Sequence, residues 1–358
     1  MSFSVYSQIG GSDDHKYKLM QLPKELLEYL KTPDNVLEFK LPLSRKNHLV
    51  LCTESETYTV RQMNHSNTQL VVEDLQVPAV GRKLMGLGPD SSSSLLAVGL
   101  CSYLYELTPS LGEIETAGLP LYDGTAELLV GSVPLSVESL MQSSPIARTC
   151  FQSQWHALCG SEIDGIAVIL SPDFVTNVLY TIIAVAIAEK WSSFTLEEMA
   201  PRLASENSKF TRLVLETIAG KFCECKDNEL SLNRPEIAKW FGIMSLKKLA
   251  TATSDKDLLL QWKSSLPPFF NALLDLKVLR GHFYRPLAGR LQYLNKETLS
   301  PEIHARIKDM FKITKDWDYD EFLPYVEEFI PATKKADAVI LKYAKKKRMG
   351  KLFVVCPR

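Results

Sequence analysis

DYDEFLPYVEEFIPATKKADAVILKYAKKKRMGKLFVVCPR, residues 318–358, carries two helical patterns, a basic run and a strand pattern in that order. Asp318 stands where a helix cap belongs, with Glu321 three residues on, and Phe322, Val326 and Phe329 then recur on one helical face. In the second segment Ala336, Val339, Ile340 and Tyr343 keep a helical stripe, and Lys334, Lys335 and Lys342 lie off it. Lys345, Lys346, Lys347 and Arg348 lead through Gly350 into an apolar run, which predicts two antiparallel strands joined by a charged turn. Helix, helix and basic hairpin in this order predict a winged helix that ends in a basic wing.

From Pro331 onward nine cationic residues face Asp337 alone, a balance of +8. With a formal net charge of −1 over 358 residues, the first 330 therefore sum to −9. An anionic partner is expected at the C-terminal end. The hydrophobic fraction of 46% is that of a soluble globular protein, and the length allows two or more domains. Seven cysteines, odd in number and scattered without a C-x-x-C pair, predict reduced structural thiols and an intracellular protein. Cys223 and Cys225 alternate as strand neighbours do. No basic region followed by an apolar one opens the chain, so no signal peptide is expected. The apolar run 178–188 is too short to span a bilayer and predicts a buried helix, with no membrane partner.

Residues 1–12 are small and polar and are expected to fray, with order beginning near Tyr17. YKLMQL, NVLEFKL, HLVLCT, TYTVRQ and TQLVVEDL follow as short strand patterns, separated by turn-like stretches at 53–56 and 64–67. They predict a β-meander or part of a barrel over residues 1–130, interrupted by one helix starting at Pro23. So few strands leave an edge for another chain or element to cover. Between Val77 and Gly131 the pattern loosens. Gly86 and Gly88 lack the third glycine of a dinucleotide fingerprint, because Ser91 stands there and a serine run follows.

From Pro134 a repeat emerges, each unit marked by a cap, a polar residue three on and an apolar residue after it: Ser136/Ser139, Thr195/Glu198, Ser254/Asp257 and Asp318/Glu321. The caps recur at steps of 59, 59 and 64 residues, about the length of a three-helix winged domain. A hairpin closes each unit, clearest in KFCECKDNELSLN and again in VLRGHFY with GRLQYL. The helical patterns DFVTNVLYTIIAVAIAEK, PEIAKWFGIMSLKKLA and SPEIHARIKDMFKI serve as first helices. Units are expected at 173–233, 235–297 and 300–358, with a partial one at 134–170. The fold class is α+β, a partial barrel followed by tandem winged helices.

The blocks VLCTESETYTVRQMNHSN, LLLQWKSSLPP, MFKITKDWDYDEFLPYV and ILKYAKKKRMGKLFVV make the chain resemble the defective-in-sister-chromatid-cohesion subunit of the cohesion-type alternative replication-factor-C clamp loader. The resemblance covers nearly the whole chain. It implies an N-terminal part that completes a composite barrel with two companions, the small accessory subunit and the C-terminal tail of the large ATPase subunit. It also implies winged helices that reach DNA and the leading-strand polymerase epsilon, with indirect service to the sliding clamp.

Candidate DNA contacts are Lys334, Lys335, Lys342, Lys345, Lys346, Lys347, Arg348 and Lys351, on the second helix and wing of the last unit. Such contacts read phosphates, not bases, so affinity without sequence specificity is expected. Lys345 to Arg348 also fit an import signal and a nuclear location. Candidate partner contacts are Leu49, Val50, Leu51 and Cys52 with Tyr58 and Val60, for which the core is the alternative place. Trp155, Trp191, Trp240, Trp262 and Trp317 are expected in cores, with base stacking as the rival reading. Six histidines lie far apart, and no H-E-x-x-H, G-x-S-x-G or G-x-x-x-x-G-K-[ST] appears, so neither catalysis nor a cofactor is expected and ATP hydrolysis falls to another subunit. The rival functions are a free-standing winged-helix transcription protein and a pure interaction scaffold.

Overall fold

The computed structural model describes residues 4–7, 17–41, 49–74, 94–125, 135–330, 334–350 and 352–358. The fold is mixed α+β, in two compact units: one gathers Met1–Leu119, Val133–Trp155 and Asp164–Ala167, the other Pro120–Ser132, His156–Ile163 and Val168–Arg358.

The first unit is built on an open six-stranded sheet of β1 (Ser4–Ser7), β2 (Leu19–Gln21), β3 (Glu38–Lys40), β4 (Val50–Cys52), β5 (Thr57–Asp74) and β6 (Ser94–Ser110). Its order is β1-β6-β5-β4-β3, with β2 also on β6. β3 to β6 run antiparallel in sequence order, while β1 and β2 lie parallel to the two ends of β6. Helix α1 (Lys24–Lys31) starts after Pro23, whose missing N–H costs nothing there, and buries Leu26 against Leu51, Tyr58 and Val60.

Three expectations are corrected here. Residues 64–67 are not a turn: β5 runs straight through them, and the extra residues bulge between the pairs Asn64↔Tyr103 and Gln69↔Cys101. The stretch expected to loosen contains β6, 17 residues long: its own sequence, SLLAVGLCSYLYELTPS, is a strand-like apolar run, set between flanks rich in Gly, Ser and Pro that mask it. Residues 4–7 are paired with β6 as β1, within the segment expected to fray. Gly86, Gly88 and Ser91 lie outside the described residues.

Two helices complete this unit. α2 (Val137–Ser143) is capped by Ser136, which accepts from the Ser139 N–H, and α3 (Arg148–Ala157) follows. Lys40, 8% exposed, donates to the carbonyls of Met141 (3.3 Å) and Ile146 (3.0 Å), and the Ala147 N–H donates to Thr57 Oγ1 at 2.9 Å. These bonds tie the segment expected to open the repeats to the edge of the sheet.

The second unit repeats one plan. β7 (Leu121–Tyr122), β8 (Gly160–Ile163) and β9 (Ile166–Leu170) form a sheet ordered β7-β9-β8. Next come α4 (Pro172–Ala188), α5 (Leu196–Glu206), α6 (Arg212–Phe222) and the hairpin β10 (Cys223–Lys226) with β11 (Glu229–Leu232), where Phe194 bridges to Leu230. Then α7 (Arg234–Lys247), β12 (Thr253–Ser254), α8 (Asp255–Ser265), a 3-10 turn at Leu276–Leu279 and β13 (Phe283–Leu287) with β14 (Arg290–Tyr293) form a sheet ordered β12-β14-β13. Last are α9 (Ile303–Ile313), β15 (Trp317–Asp318), α10 (Tyr319–Val326), α11 (Ala336–Ile340) and β16 (Ala344–Met349) with β17 (Leu352–Pro357), ordered β15-β17-β16. In each unit the later hairpin strand is the one joined by the short strand or bridge ahead of the second helix.

The caps explain why the second helices start where they do. Thr195 and Glu198 form a reciprocal capping box, and Ser254 accepts from the Asp257 N–H. Asp318 accepts from Asp320, one residue earlier than the expected Glu321. α4, too apolar to face water, buries Val175, Val178, Leu179 and Ile183 completely. No helix among the described residues is long and apolar enough to cross a membrane.

The last two repeats share a core. Leu294 and Leu299 pack with Ile307, Trp317 and Tyr325, and the Tyr325 hydroxyl donates to Phe283 O at 2.8 Å. Arg285 bridges Asp255 and Glu321, both at 2.8 Å. Arg306 is 5% exposed, and its guanidinium is held by Glu328 and by the carbonyls of Ser300 and Tyr325. Trp155, Trp262 and Trp317 are core residues, Trp191 is half-buried, and half-buried Trp240 donates to Thr176 Oγ1.

Candidate nucleic-acid hairpin and open sheet edge

The basic residues divide by strand alternation. Ala344 begins β16 buried, so Lys346, two residues on, shares its face, while Lys345 and Lys347 point the other way and are exposed. Lys346 Nζ sits 3.0 Å from both carboxylate oxygens of Asp337, 3.7 Å from the centre of the Tyr319 ring and 4.7 Å from that of Phe353. Asp337 is held below the usual carboxylate range by hydrogen bonds from Tyr319 and then Lys346. Burial and the Asp337 carboxylate push the Tyr319 phenol up to about 12. Lys346 is therefore a clamp that fastens the hairpin to α10 and α11.

Lys334, Lys335 and Lys342 are exposed but do not lie on the helix. α11 spans five residues and carries one charge, Asp337; Lys335 is its cap position and Lys342 follows its end. A helix in this place was expected to present the lysines; it is too short to do so, and the cations sit at its two ends. Arg348 is exposed and donates from Nε to Gly350 O at 3.3 Å. Lys351 lies outside the described residues. The basic run forms strand β16 itself, and the exposed side chains of Met349 and Leu352 pair across the hairpin tip.

At the other end, Leu51, Tyr58 and Val60 form the core beneath α1, and Val50 and Cys52 are also buried. Burial raises the Cys52 thiol pKa, and it raises the Tyr58 phenol to about 12 together with the Glu56 carboxylate that accepts its proton. Leu49 and Val60 also line an apolar groove of about 360 Å³ with Lys18, Met20, Phe39 and Tyr105. Phe39 is 58% exposed, and its neighbours Val36 and Leu41 are more exposed still. Sequence reading passed over them, although apolar residues clustered on an edge strand are the signal that finds such a surface.

The edge of β5 is the second feature of this unit. On β5, β4 pairs with Thr57–Thr59 alone, and Val60 N–H reaches Leu49 O. From Arg61 to Asp74, β5 has β6 on one side and, among the described residues, no strand on the other. Leu70 and Val72 are exposed along this edge. Among the described residues no cluster of three His, Cys, Asp or Glu side chains is placed to hold a metal.

Comparison with known proteins places this architecture. The model of the family Sister chromatid cohesion protein Dcc1 matches residues 17–326, which includes β2 to β6 of the sheet and most of the repeats and stops before the basic hairpin. Sister chromatid cohesion protein DCC1 of Saccharomyces cerevisiae is 31% identical over 96% of this chain and 97% of its own length. The proteins of the same name from Danio rerio and Xenopus laevis are 20% and 22% identical, each over 92% of this chain and 86% of their own. The chain belongs to the Dcc1 family of sister chromatid cohesion proteins.

Proposed function

We propose that the chain is a non-catalytic accessory subunit of the cohesion-type alternative clamp loader. Its N-terminal sheet is one part of a composite barrel, completed by the small accessory subunit and the C-terminal tail of the large ATPase subunit. The tandem repeats are winged helices that tether the assembly to DNA and to polymerase epsilon at nuclear replication forks, where sliding-clamp loading supports cohesion. Linking two modest contacts raises local concentration without any chemistry of the chain's own.

The observation that carries this reading is the open edge of β5 from Arg61 to Asp74, a row of backbone donors and acceptors with no strand beside it among the described residues. Such an edge invites pairing with another chain unless something covers it. Exposed Leu70 and Val72 give a partner strand apolar side chains to pack on. The exposed cations Lys345, Lys347 and Arg348 support the DNA contact, with Lys346 reserved for the hairpin's own fold.

Co-expression of the full chain with the two companions is the test. Co-elution with both through size exclusion, together with loss of self-association relative to the chain alone, is the expected result. A stable monomer that ignores both companions contradicts it.

A further inference from the structure

The third repeat departs from its neighbours at the third helix. Between α8 and the four-residue 3-10 turn at Leu276–Leu279, the chain runs without helix or strand through PPFFNALLD, residues 267–275. This segment opens with a turn closed by the Phe270 N–H on Pro267 O at 3.1 Å. Pro268 suits the second position of such a turn, and its third position, at φ +66°, is Phe269. Glycine adopts that backbone freely, whereas a bulky side chain there is uncommon and strained. Phe269 is nevertheless 87% exposed, and Leu273 further along is 88% exposed. Burial therefore does not offset the strain.

Two grooves flank the turn. One, of about 360 Å³, includes Lys190, Trp191, Phe194 and Arg234 with Phe269 and Phe270; the other, of about 720 Å³, runs from Lys263 along Pro267 to Leu274. Each is large enough for several side chains of a bound segment. The charged residues lining them are Lys190, Arg234 and Lys263, and no carboxylate is among them. Arg234 also donates to Asn271 O at 3.4 Å, which fixes a cation beside the segment.

We infer that the 267–274 segment is a protein-docking site whose occupant is an acidic peptide segment with two apolar anchor side chains, packed on Phe269 and Leu273 and rimmed by Lys190, Arg234 and Lys263. Strain kept at an exposed aromatic is the mark of a residue held ready for contact. The three cations without a lining acid select the sign of the partner's charge. This site is separate from the terminal basic hairpin, and its failure would leave the DNA contact standing.

The test uses the full chain as bait for short random peptides displayed on phage, followed by fluorescence anisotropy of the enriched peptides. Net-negative peptides with a pair of aromatic or aliphatic anchors are expected. Phe269→Gly keeps the turn and removes the anchor, and Lys190→Glu with Lys263→Glu reverses the rim. Each change is expected to weaken binding by about tenfold or more while the thermal midpoint holds. The inference is overturned if no peptide is enriched, if the enriched peptides are neutral or basic, or if Phe269→Gly binds them as the unaltered chain does.

Discussion

Replacing Lys346 and replacing Lys347, neighbours in one basic run, are expected to have opposite consequences. The Lys346 side chain is 20% exposed and its partner Asp337 47% exposed, so their ion pair contributes less than a buried one, about 0.5–1 kcal/mol. The ammonium lies 3.7 Å from the Tyr319 ring centre, which adds about 1 kcal/mol. Lys346→Ala should therefore weaken the last repeat by about 2 kcal/mol, with Asp337 still accepting from Tyr319. Hydrogen exchange of the β16 and β17 amides reads that local opening, and about 30-fold faster exchange is expected. Binding of a short DNA duplex across a salt series gives the second readout. Lys345→Ala and Lys347→Ala should each flatten the log–log salt slope by about 0.9 and leave exchange unchanged. Lys346→Ala should leave the slope of the folded protein as it is. The reasoning is refuted if Lys346→Ala flattens the slope as Lys347→Ala does and leaves β16 and β17 exchange untouched.

Acidification should destabilise the last repeat. Asp337, Asp309 and Glu328 have pKa values below their unfolded ones, Asp309 near 2, so their contribution is complete above the unfolded values and is lost from about pH 4.5 down to about pH 2, which a pH series of exchange rates will show. Gly242→Ala is expected to destabilise by about 1–3 kcal/mol in denaturant melts, because the new Cβ would lie 2.7 Å from both Leu279 and fully buried Trp262. Arg285→Met should destabilise by about 2 kcal/mol at neutral pH, since it strips the partner from Glu321, whose side chain is 13% exposed. Burial already raises the Glu321 pKa; without Arg285 it rises further, so that variant should regain stability as pH falls and Glu321 is protonated.

The starts of the capped helices were legible in the sequence because their signals are local. A cap and its N3 N–H lie three residues apart, so Ser136, Thr195 and Ser254 reveal their helices without any distant partner. The hairpin turn was legible to within one residue: the sequence places it at Lys226-Asp227-Asn228, and in the fold Lys226 ends β10 while Asp227 and Asn228 take the positive φ that a two-residue hairpin needs. The sheet of the first unit was less legible. β6 is an apolar run, SLLAVGLCSYLYELTPS, set between Gly-, Ser- and Pro-rich flanks that dominate the reading of that stretch, and its ladder with β5 shows it as a strand. The Asn64–Asn67 stretch carries turn residues, but pairing on both sides of it turns the same residues into a bulge. Charge was legible as a total and not as a set of roles. Nothing in AKKKRM separates Lys346 from Lys345 and Lys347 until Asp337 and Tyr319 are folded against it. The candidate partner residues Leu51 and Tyr58 lie in short strand patterns rich in Val, Leu and Thr, which mark a strand but not its free edge; in the fold they pack toward α1, and the open edge lies further along β5.

Hydrogen exchange across β5, measured on the full chain alone and then with the small accessory subunit and the large subunit's C-terminal tail, tests the central claim most directly. A strand added to the open edge protects the β5 amides that face away from β6, so slowed exchange at alternate positions between Arg61 and Asp74 is the predicted result. Unchanged exchange along that edge, in a mixture shown to contain all three components, would contradict it.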